Sequence, residues 1–498
     1  MFEALIEGLF AIFAWPTFGL MLLGIAIGFV VGLLPGLGSV VTLALMVPFV
    51  FAMTPMSAFA FLLGMYSVTN TTGDITSILF AVPGETSSAA LILDGHMMAR
   101  NGEAGRALGA ALFSSLVGAI VGAVVLALSI PVIQPLVLSF GPPEIFALTI
   151  VGVSLISSLS GDHLIKGLIT GCFGFLLSTV RVDPHSSIPR FTLGQDYLLD
   201  GLSVVPLVVG LFAIPEIIDL ALRRESIAHG GATRIDNAFE GVKDTIRHWG
   251  LTIRCSIIGC FVGIIPGLGG GIGQWIAYAH AVQSAKDKSR FGKGAVEGVI
   301  GPGAANNYTA GGSLIPTVAF GVPGSIVMAI LLGAFLITGI APGPDMLTRH
   351  LPLTFSLVWI VIVSNIIVVP LCFLMLNQIA KITYVRSSLL IPFLIFFAFL
   401  GALASTGDIG DLVVLLAFGF LGYAMVVAQW PRPSLLLGFV LGGVAEKNLW
   451  LAVQTSGWSW TTKPLVVIFV LIAVASFCYP WVRSRPKTTF PGANLPSE

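Results

Sequence analysis

The sequence predicts an all-α polytopic membrane protein built as two homologous repeats, with Gly/Pro-broken helices and re-entrant hairpins. Three observations carry this expectation. Of 498 residues, 56% are hydrophobic and 10% charged, with a mean hydropathy of +0.98, whereas soluble chains carry about 25% charged residues. Charge is absent over stretches of membrane-spanning length, and short glycine- and proline-containing motifs occur twice in the same order. Lys plus Arg and Asp plus Glu number 24 each, so the formal net charge is zero. That balance excludes an electrostatic nucleic-acid binder and a polybasic surface protein. The hydropathy excludes disorder and a water-soluble globule.

From the N-terminus, Met1 to Trp15 reads as an interfacial segment, and Pro16 starts the first span. Glu3 and Glu7 precede the apolar run without any basic residue, so the segment is expected to be retained rather than cleaved as a secretory leader. The 66 residues between Glu7 and Asp74 contain no Asp, Glu, Lys or Arg. As helix they would extend ~99 Å, about three crossings of a ~30 Å hydrocarbon core. Further uncharged runs cover 107–143, 298–344, 387–407, 412–431 and 464–482. They lack the alternation of a barrel strand, so helices are expected, in roughly 10 to 14 crossings or re-entrant pieces. Cys172, Cys255, Cys260, Cys372 and Cys478 show no C-x-x-C spacing and read as small hydrophobes. Trp430, Trp450, Trp458, Trp460 and Trp481 cluster near expected span ends, as an aromatic belt does.

The basic residues set the expected orientation. Arg223, Arg224, Arg234, Lys243, Arg247 and Arg254 in the longest polar stretch, and Arg483, Arg485 and Lys487 in the tail, belong in the cytoplasm by the positive-inside rule. Four units follow: a first membrane repeat (1–222), a cytoplasmic basic linker (223–250), a second membrane repeat (251–482) and a cytoplasmic tail (483–498). Lys286, Lys288, Arg290 and Lys293 form another basic cluster. If it too is cytoplasmic, Cys255 to Ala285 enters and leaves on one side, and its 31 residues are too few for two crossings of ~20 each. A re-entrant hairpin with Pro266-Gly267 at its tip is the economical expectation.

The duplication is explicit. VGLLPGLG at Val31–Gly38 recurs as VGIIPGLG at Val262–Gly269, and FAVPG at Phe80–Gly84 recurs as FGVPG at Phe320–Gly324. A weaker match pairs Ser160-Gly-Asp162 with Thr406-Gly-Asp408, each followed by Phe-Gly-Phe. The separations are 231, 240 and 246 positions. Gly and Pro are common in membrane helices and permit close packing. Matched interruptions in both halves favour a secondary-transporter core, where broken helices offer N–H groups to an anion and carbonyls to a cation. The motif residues are Gly32, Pro35, Gly36 and Gly38 with Gly263, Pro266, Gly267 and Gly269, then Pro83 and Gly84 with Pro323 and Gly324.

Polar residues inside the apolar runs supply candidates. Asn70, Thr71 and Thr72 precede Gly73-Asp74, and the second half offers Asn306, Asn307, Thr309, Gly311 and Gly312. Such runs cannot continue as lipid-facing helix, so breaks lining a ligand cavity are expected, with amides and hydroxyls meeting carboxylate oxygens. Asp74, the acidic residue of the first broken core, is the candidate coupling group for a cation or proton. The competing explanation is a cap on the following helix. Glu85 fits either a functional role or helix-dipole compensation. Asp94, His96, Arg100, Glu103 and Arg106 read as a solvated loop. Asp162, His163 and Lys166 read as an interfacial turn, and His280 as a hydrogen-bonded packing residue. No G-x-x-x-x-G-K-[ST], H-E-x-x-H or G-x-S-x-G occurs, and the Gly267–Gly273 run is not G-x-G-x-x-G. Nothing points to an enzyme.

The duplicated G-x-x-P-G-x-G motifs (Gly32–Gly38, Gly263–Gly269), the break at Asn306 and the two Val-Pro-Gly turns resemble the large membrane subunit of the bacterial tripartite tricarboxylate transporters, the TctA family. The resemblance covers essentially the whole chain. It implies an inner-membrane permease of about twelve spans, working with a small membrane subunit and a periplasmic solute-binding protein. Di- and tricarboxylates or related organic acids would be imported on a sodium or proton gradient, with no cofactor beyond Na⁺ or H⁺ and the lipid bilayer as surroundings. Alternating access is the implied mechanism, and a passive channel for small organic anions is the alternative.

Overall fold

The computed structural model describes residues 1–34, 37–85, 87–159, 164–183, 186–223, 235–265, 271–307, 311–382 and 387–482. Pro35, Gly36, Pro266, Gly267, Gly269, Thr309, Asp162 and His163 lie outside the described residues, as do linker residues 224–234 and the tail from 483.

The first half opens with α1 (Phe2–Phe13) and α2 (Thr17–Gly32), which meet at 70°. α1 leaves Phe2, Phe10 and Phe13 exposed, and the Trp359 indole N–H donates to its Leu5 carbonyl at 2.9 Å. α3 (Ser39–Met46) continues as a 3₁₀ turn, and α4 (Pro55–Phe80) starts behind Thr54, whose hydroxyl accepts from the Ser57 N–H. α2 lies along α4. Its Gly24, Gly28 and Gly32, four residues apart, meet the backbone of Phe61, Met65 and Thr69. Four-residue spacing keeps the glycines on one stripe, and the missing Cβ atoms let the two backbones touch.

The break expected at Asn70 to Asp74 is absent, because α4 runs unbroken through all five residues. The physical reason is local. Thr69, Thr71, Thr72, Thr76 and Ser77 return their hydroxyls to carbonyls three or four residues earlier, and protein encloses the whole stretch. Polar side chains that serve their own helix need not interrupt it. Asp74 therefore sits in mid-helix and caps nothing.

α5 (Met97–Arg100), α6 (Ala104–Leu138), α7 (Pro142–Leu159) and α8 (Leu164–Ser178) follow. A short antiparallel hairpin pairs β1 (Arg181–Val182) with β2 (Pro189–Arg190), before α9 (Val204–Val208) and α10 (Ile214–Arg223). α11 (Ala238–Arg247) packs on the start of α6, where Arg106 Nε reaches Asp244 Oδ2 at 2.6 Å. α12 (Trp249–Ile264) and α13 (Gly271–Ser284) pack against each other. With 16 and 14 residues they reach ~24 and ~21 Å, short of a ~30 Å core.

The second polar stretch is broken, unlike the first. α14 (Glu297–Ala304) ends in a turn at 305–307, and α15 spans Leu314–Phe320. α16 (Ile326–Ile337), α17 (Leu351–Ile382), α18 (Ser387–Thr406), α19 (Gly410–Val427), α20 (Arg432–Ser456) and α21 (Pro464–Val482) complete the chain. Among the described residues, five helical segments are long and apolar enough to cross a membrane: α6, 204–222, α17, α19 and α20. The bent pair α1 and α2 makes a sixth if it counts as one span. The protein is an all-α, multi-pass membrane protein.

The two halves share local geometry. α4 ends on Ala81 (φ 56°) and α15 on Gly321 (φ 66°), both left-handed, with Val-Pro-Gly next in each case. Gly84 then seats on Gly73, and Gly324 on Ser313. α3 packs on α16, while α13 packs on the 3₁₀ turn Ser87–Leu91. Each half's post-motif helix thus rests on the segment that follows the other half's Val-Pro-Gly turn.

Candidate functional site

The buried polar face of α4 meets the turn after α14. Asn306 Nδ2 donates to the Asn70 carbonyl at 2.9 Å and to Asp74 Oδ2 at 2.8 Å. Asn307 Nδ2 lies within reach of three acceptors: Thr71 Oγ1 at 2.7 Å, Ser115 Oγ at 2.9 Å and Asn365 Oδ1 at 2.8 Å. Asn365 Nδ2 in turn donates to Ser67 Oγ at 2.6 Å and to the Val361 carbonyl at 2.9 Å. Four elements, α4, α6, α17 and the 305–307 turn, close on one cluster enclosed by apolar helices.

The cluster is not fully satisfied. Asp74 is 1% exposed and Asn307 fully buried, yet Asp74 Oδ1, Asn307 Oδ1 and Ser364 Oγ lack a partner among the described residues. Each uncompensated polar atom costs about 1–3 kcal/mol. An amide is the one side-chain donor to Asp74 there, and no cation pairs with it among the described residues. Buried carboxylates ordinarily find a positive partner or a metal; among the described residues Asp74 has neither.

Glu85 stands beside this cluster. Its carboxylate accepts the Ser39 N–H at the start of α3 and faces Gly38 and Gly73. It compensates a helix dipole, but that of α3 rather than of the turn after Pro83. Pro83 is exposed, whereas Pro323 and Gly324 are buried, with Gly324 on Gly263 and Ser313. Gly32 packs on Thr69 and Thr72, Gly311 on Gly122 of α6, and Gly312 on Cys260 of α12. The structure thus brings Asn70, Thr71, Asp74, Asn306 and Asn307 together. Thr72 returns its hydroxyl to Val68 at 2.9 Å beside α2, and Gly311 and Gly312 form helix contacts rather than joining the amide network.

The loop expected around Asp94 is solvated at Arg100 to Glu103, which are exposed, but not at Asp94 itself. Asp94 is fully buried, accepting from Tyr278 Oη and from the N–H groups of Gly294 and Ala295, all at 2.9 Å. Its three donors lie 184 to 201 residues away, so this burial was hidden from the sequence. His96 Nδ1 is 3.0 Å from the Ile78 carbonyl. His280 Nε2 is buried without a partner among the described residues.

Sequence reasoning missed Asn365, Ser67, Ser115 and Gln274. Asn365 carried a readable signal, an amide inside the apolar run of α17, whereas serines are too common in membrane helices to stand out. Gln274, on α13, is fully buried with neither Oε1 nor Nε2 hydrogen-bonded among the described residues. A separate cavity of about 530 Å³ is lined by Arg181, Asp345, Lys447 and Asn448, and reaches Phe320 and Gly321 of the second Val-Pro-Gly turn. Among the described residues no group of three or more His, Cys, Asp or Glu side chains could hold a metal ion.

Comparison with known proteins agrees with this architecture. Residues 18–437 match the Tripartite tricarboxylate transporter TctA family. An uncharacterized 52.8 kDa protein in the TAR-I ttuC' 3' region of Agrobacterium vitis is 33% identical over 473 residues, covering 94% of each chain. An uncharacterized protein in the TAR-II ttuC' 3' region of the same organism is 31% identical over 238 residues, 47% of this chain and 98% of that one. No solved structure matches. With the family match spanning most of its length, a helical multi-pass architecture and a polar cluster buried between its halves, the chain belongs to the TctA family, a family of tripartite tricarboxylate transporter components.

Proposed function

We propose that the protein is the large permease subunit of an ion-gradient-driven importer of di- or tricarboxylates or related organic acids in the bacterial inner membrane. It would act with a small membrane subunit and a periplasmic solute-binding protein. One observation carries the reading: the Asp74–Asn306 contact, which joins a first-half helix to a second-half break deep among apolar helices. A carboxylate in that setting has no structural need of its own and is costly to keep. Its Oδ1, and Asn307 Oδ1, both without a partner among the described residues, offer oxygen ligands to Na⁺ or a site for H⁺. The amides and hydroxyls of Asn70, Thr71, Asn306, Asn307 and Thr309 would supply donors for substrate oxygens, Thr71, Asn306 and Asn307 by exchanging their present partners, whereas Thr72 stays bonded to its own helix.

The matched left-handed ends at Ala81 and Gly321, and the reciprocal packing of α3 on α16 and α13 on the Ser87–Leu91 turn, support two repeats moving against each other in alternating access. The shorter helices, α12 and α13 among them, fit re-entrant hairpins in a total near twelve crossings, with the basic linker and tail in the cytoplasm. Loading Asp74 with its ion and seating the anion would lower the charge each brings to the membrane interior, which couples the two cargoes.

Uptake of radiolabelled citrate into proteoliposomes holding both membrane subunits, with the binding protein outside, tests this. The unmodified complex is expected to accumulate citrate against its gradient under an imposed Na⁺ or H⁺ gradient. Asp74→Asn and Asn306→Ala are each expected to cut the rate at least about tenfold, the scale of one lost charge-assisted contact. Unchanged uptake in both variants removes the site assignment. Flux that only equilibrates and ignores the binding protein identifies a passive channel instead.

A further inference from the structure

Gln274 is a buried polar side chain outside the cluster around Asp74. It is the fourth residue of α13, fully buried, and its amide has no partner among the described residues. Helical side chains lean toward the N-terminus of their helix, so this amide lies over the first turn, Gly271 to Gly273. The N–H groups of a first turn have no acceptor within the helix and carry the positive end of its dipole. An unpaired buried donor and a helix N-terminus therefore share one corner.

The first half fills the equivalent corner from within. Ser39 opens α3, and the Glu85 carboxylate accepts its N–H. The separation of 231 positions that relates the first motif to the second sets α3 against α13, and the separation of 240 sets Glu85 against Ser325. Ser325 has no carboxylate, and its hydroxyl accepts from the Met328 N–H at 3.3 Å. One N-terminus carries a resident carboxylate. The other carries an amide with no partner among the described residues.

We propose that the first turn of α13 and the Gln274 side-chain amide bind one carboxylate of the transported acid, taking from the substrate what Glu85 supplies to α3. A carboxylate offers two acceptor oxygens, one for Gln274 Nε2 and one for a first-turn N–H. This inference rests on the carboxylate-importer reading above and names one of its binding groups.

Gln274→Met separates binding from structure, because methionine has nearly the same shape and no polar atom to strand. Replacing an unsatisfied buried group by an apolar isostere is neutral or stabilising. The full-length chain in lipid nanodiscs is therefore expected to melt at the same or a higher temperature, while its equilibrium affinity for radiolabelled citrate falls about tenfold, the loss of a hydrogen bond to a charged group. Gln274→Glu is expected to bind citrate at least about tenfold more weakly at pH 8, since like charges repel. That deficit, taken as a ratio to the unmodified chain at each pH, should shrink toward pH 5.5 as the introduced carboxyl protonates. Normal citrate affinity in Gln274→Met, or a Gln274→Glu deficit independent of pH, overturns the inference and leaves the importer reading standing. Failure of the unmodified chain to bind citrate or any other di- or tricarboxylate overturns both.

Discussion

Asn365 accepts from Asn307 and Thr71 and donates to Ser67 and the Val361 carbonyl, so it holds α17 to α4 and to the 305–307 turn at once. Leucine there would remove the three hydrogen bonds that tie α17 to Thr71, Asn307 and Ser67. We expect Asn365→Leu to lose about 2–4 kcal/mol of stability, three buried hydrogen bonds at about 1 kcal/mol each, read as a lower melting temperature of the purified chain in detergent. A melting curve identical to that of the unmodified chain would show that the cluster does not bind α17. Asp74, Asn70, Thr71, Asn306 and Asn307 were legible in the sequence because amides and a carboxylate are conspicuous in apolar runs. Their partners were not. Thr71 and Asn365 are 294 positions apart, and Ser115 and Asn307 are 192 apart, distances over which a single sequence carries no pairing signal. Asp94 was misjudged for the same reason, since its donors come from Tyr278, Gly294 and Ala295.

The helix pair α2 and α4 rests on a glycine stripe rather than on interlocking side chains. A Cβ on Gly28 would collide with the Met65 carbonyl, and one on Gly24 with that of Phe61. Main-chain carbonyls held in a helix ladder cannot step aside as a flexible side chain can. Gly28→Leu should therefore prevent α2 from docking, seen as loss of the monodisperse peak in size-exclusion chromatography. Gly443→Ala is the control: a Cβ there meets nothing within 4 Å, and exchanging helical Gly for Ala gains about 0.5–1 kcal/mol. If both variants elute alike, close backbone approach is not what joins the pair. At this scale the sequence showed the apolar runs and the paired motifs, but it misjudged α4. Hydroxyls that bond back to their own helix look, in one dimension, like the polar punctuation of a break. The second half carries Pro302 inside α14 and two further glycines after it, and there the expected interruption is present.

Across the whole molecule, α6 is the longest helix among the described residues, with 35 residues. Arg106 at one end pairs with Asp244, and Gln134 toward the other donates to the Leu347 carbonyl at 2.6 Å; their separation of 28 positions spans ~42 Å as helix. Asn101 lies by Lys293 at the first end, while Arg181 shares its cavity with Pro344 and Asp345 at the second. Single cysteines replacing Lys286 and Ser187, in a chain cleared of other cysteines, should consequently react with a membrane-impermeant maleimide from opposite sides, Lys286 from the cytoplasm. Labelling of both from one side would refute this topology. The Asp74–Asn306 contact has one more consequence, and it concerns time rather than energy. The two residues are 232 positions apart, which a ribosome covers in about 10–50 s at ~5–20 residues per second. Throughout that interval the first half sits in the bilayer with a carboxylate whose amide partner has yet to be made. The chain is born owing its own interior a second half, and the membrane holds an exposed acid as the marker of unfinished synthesis until α14 arrives.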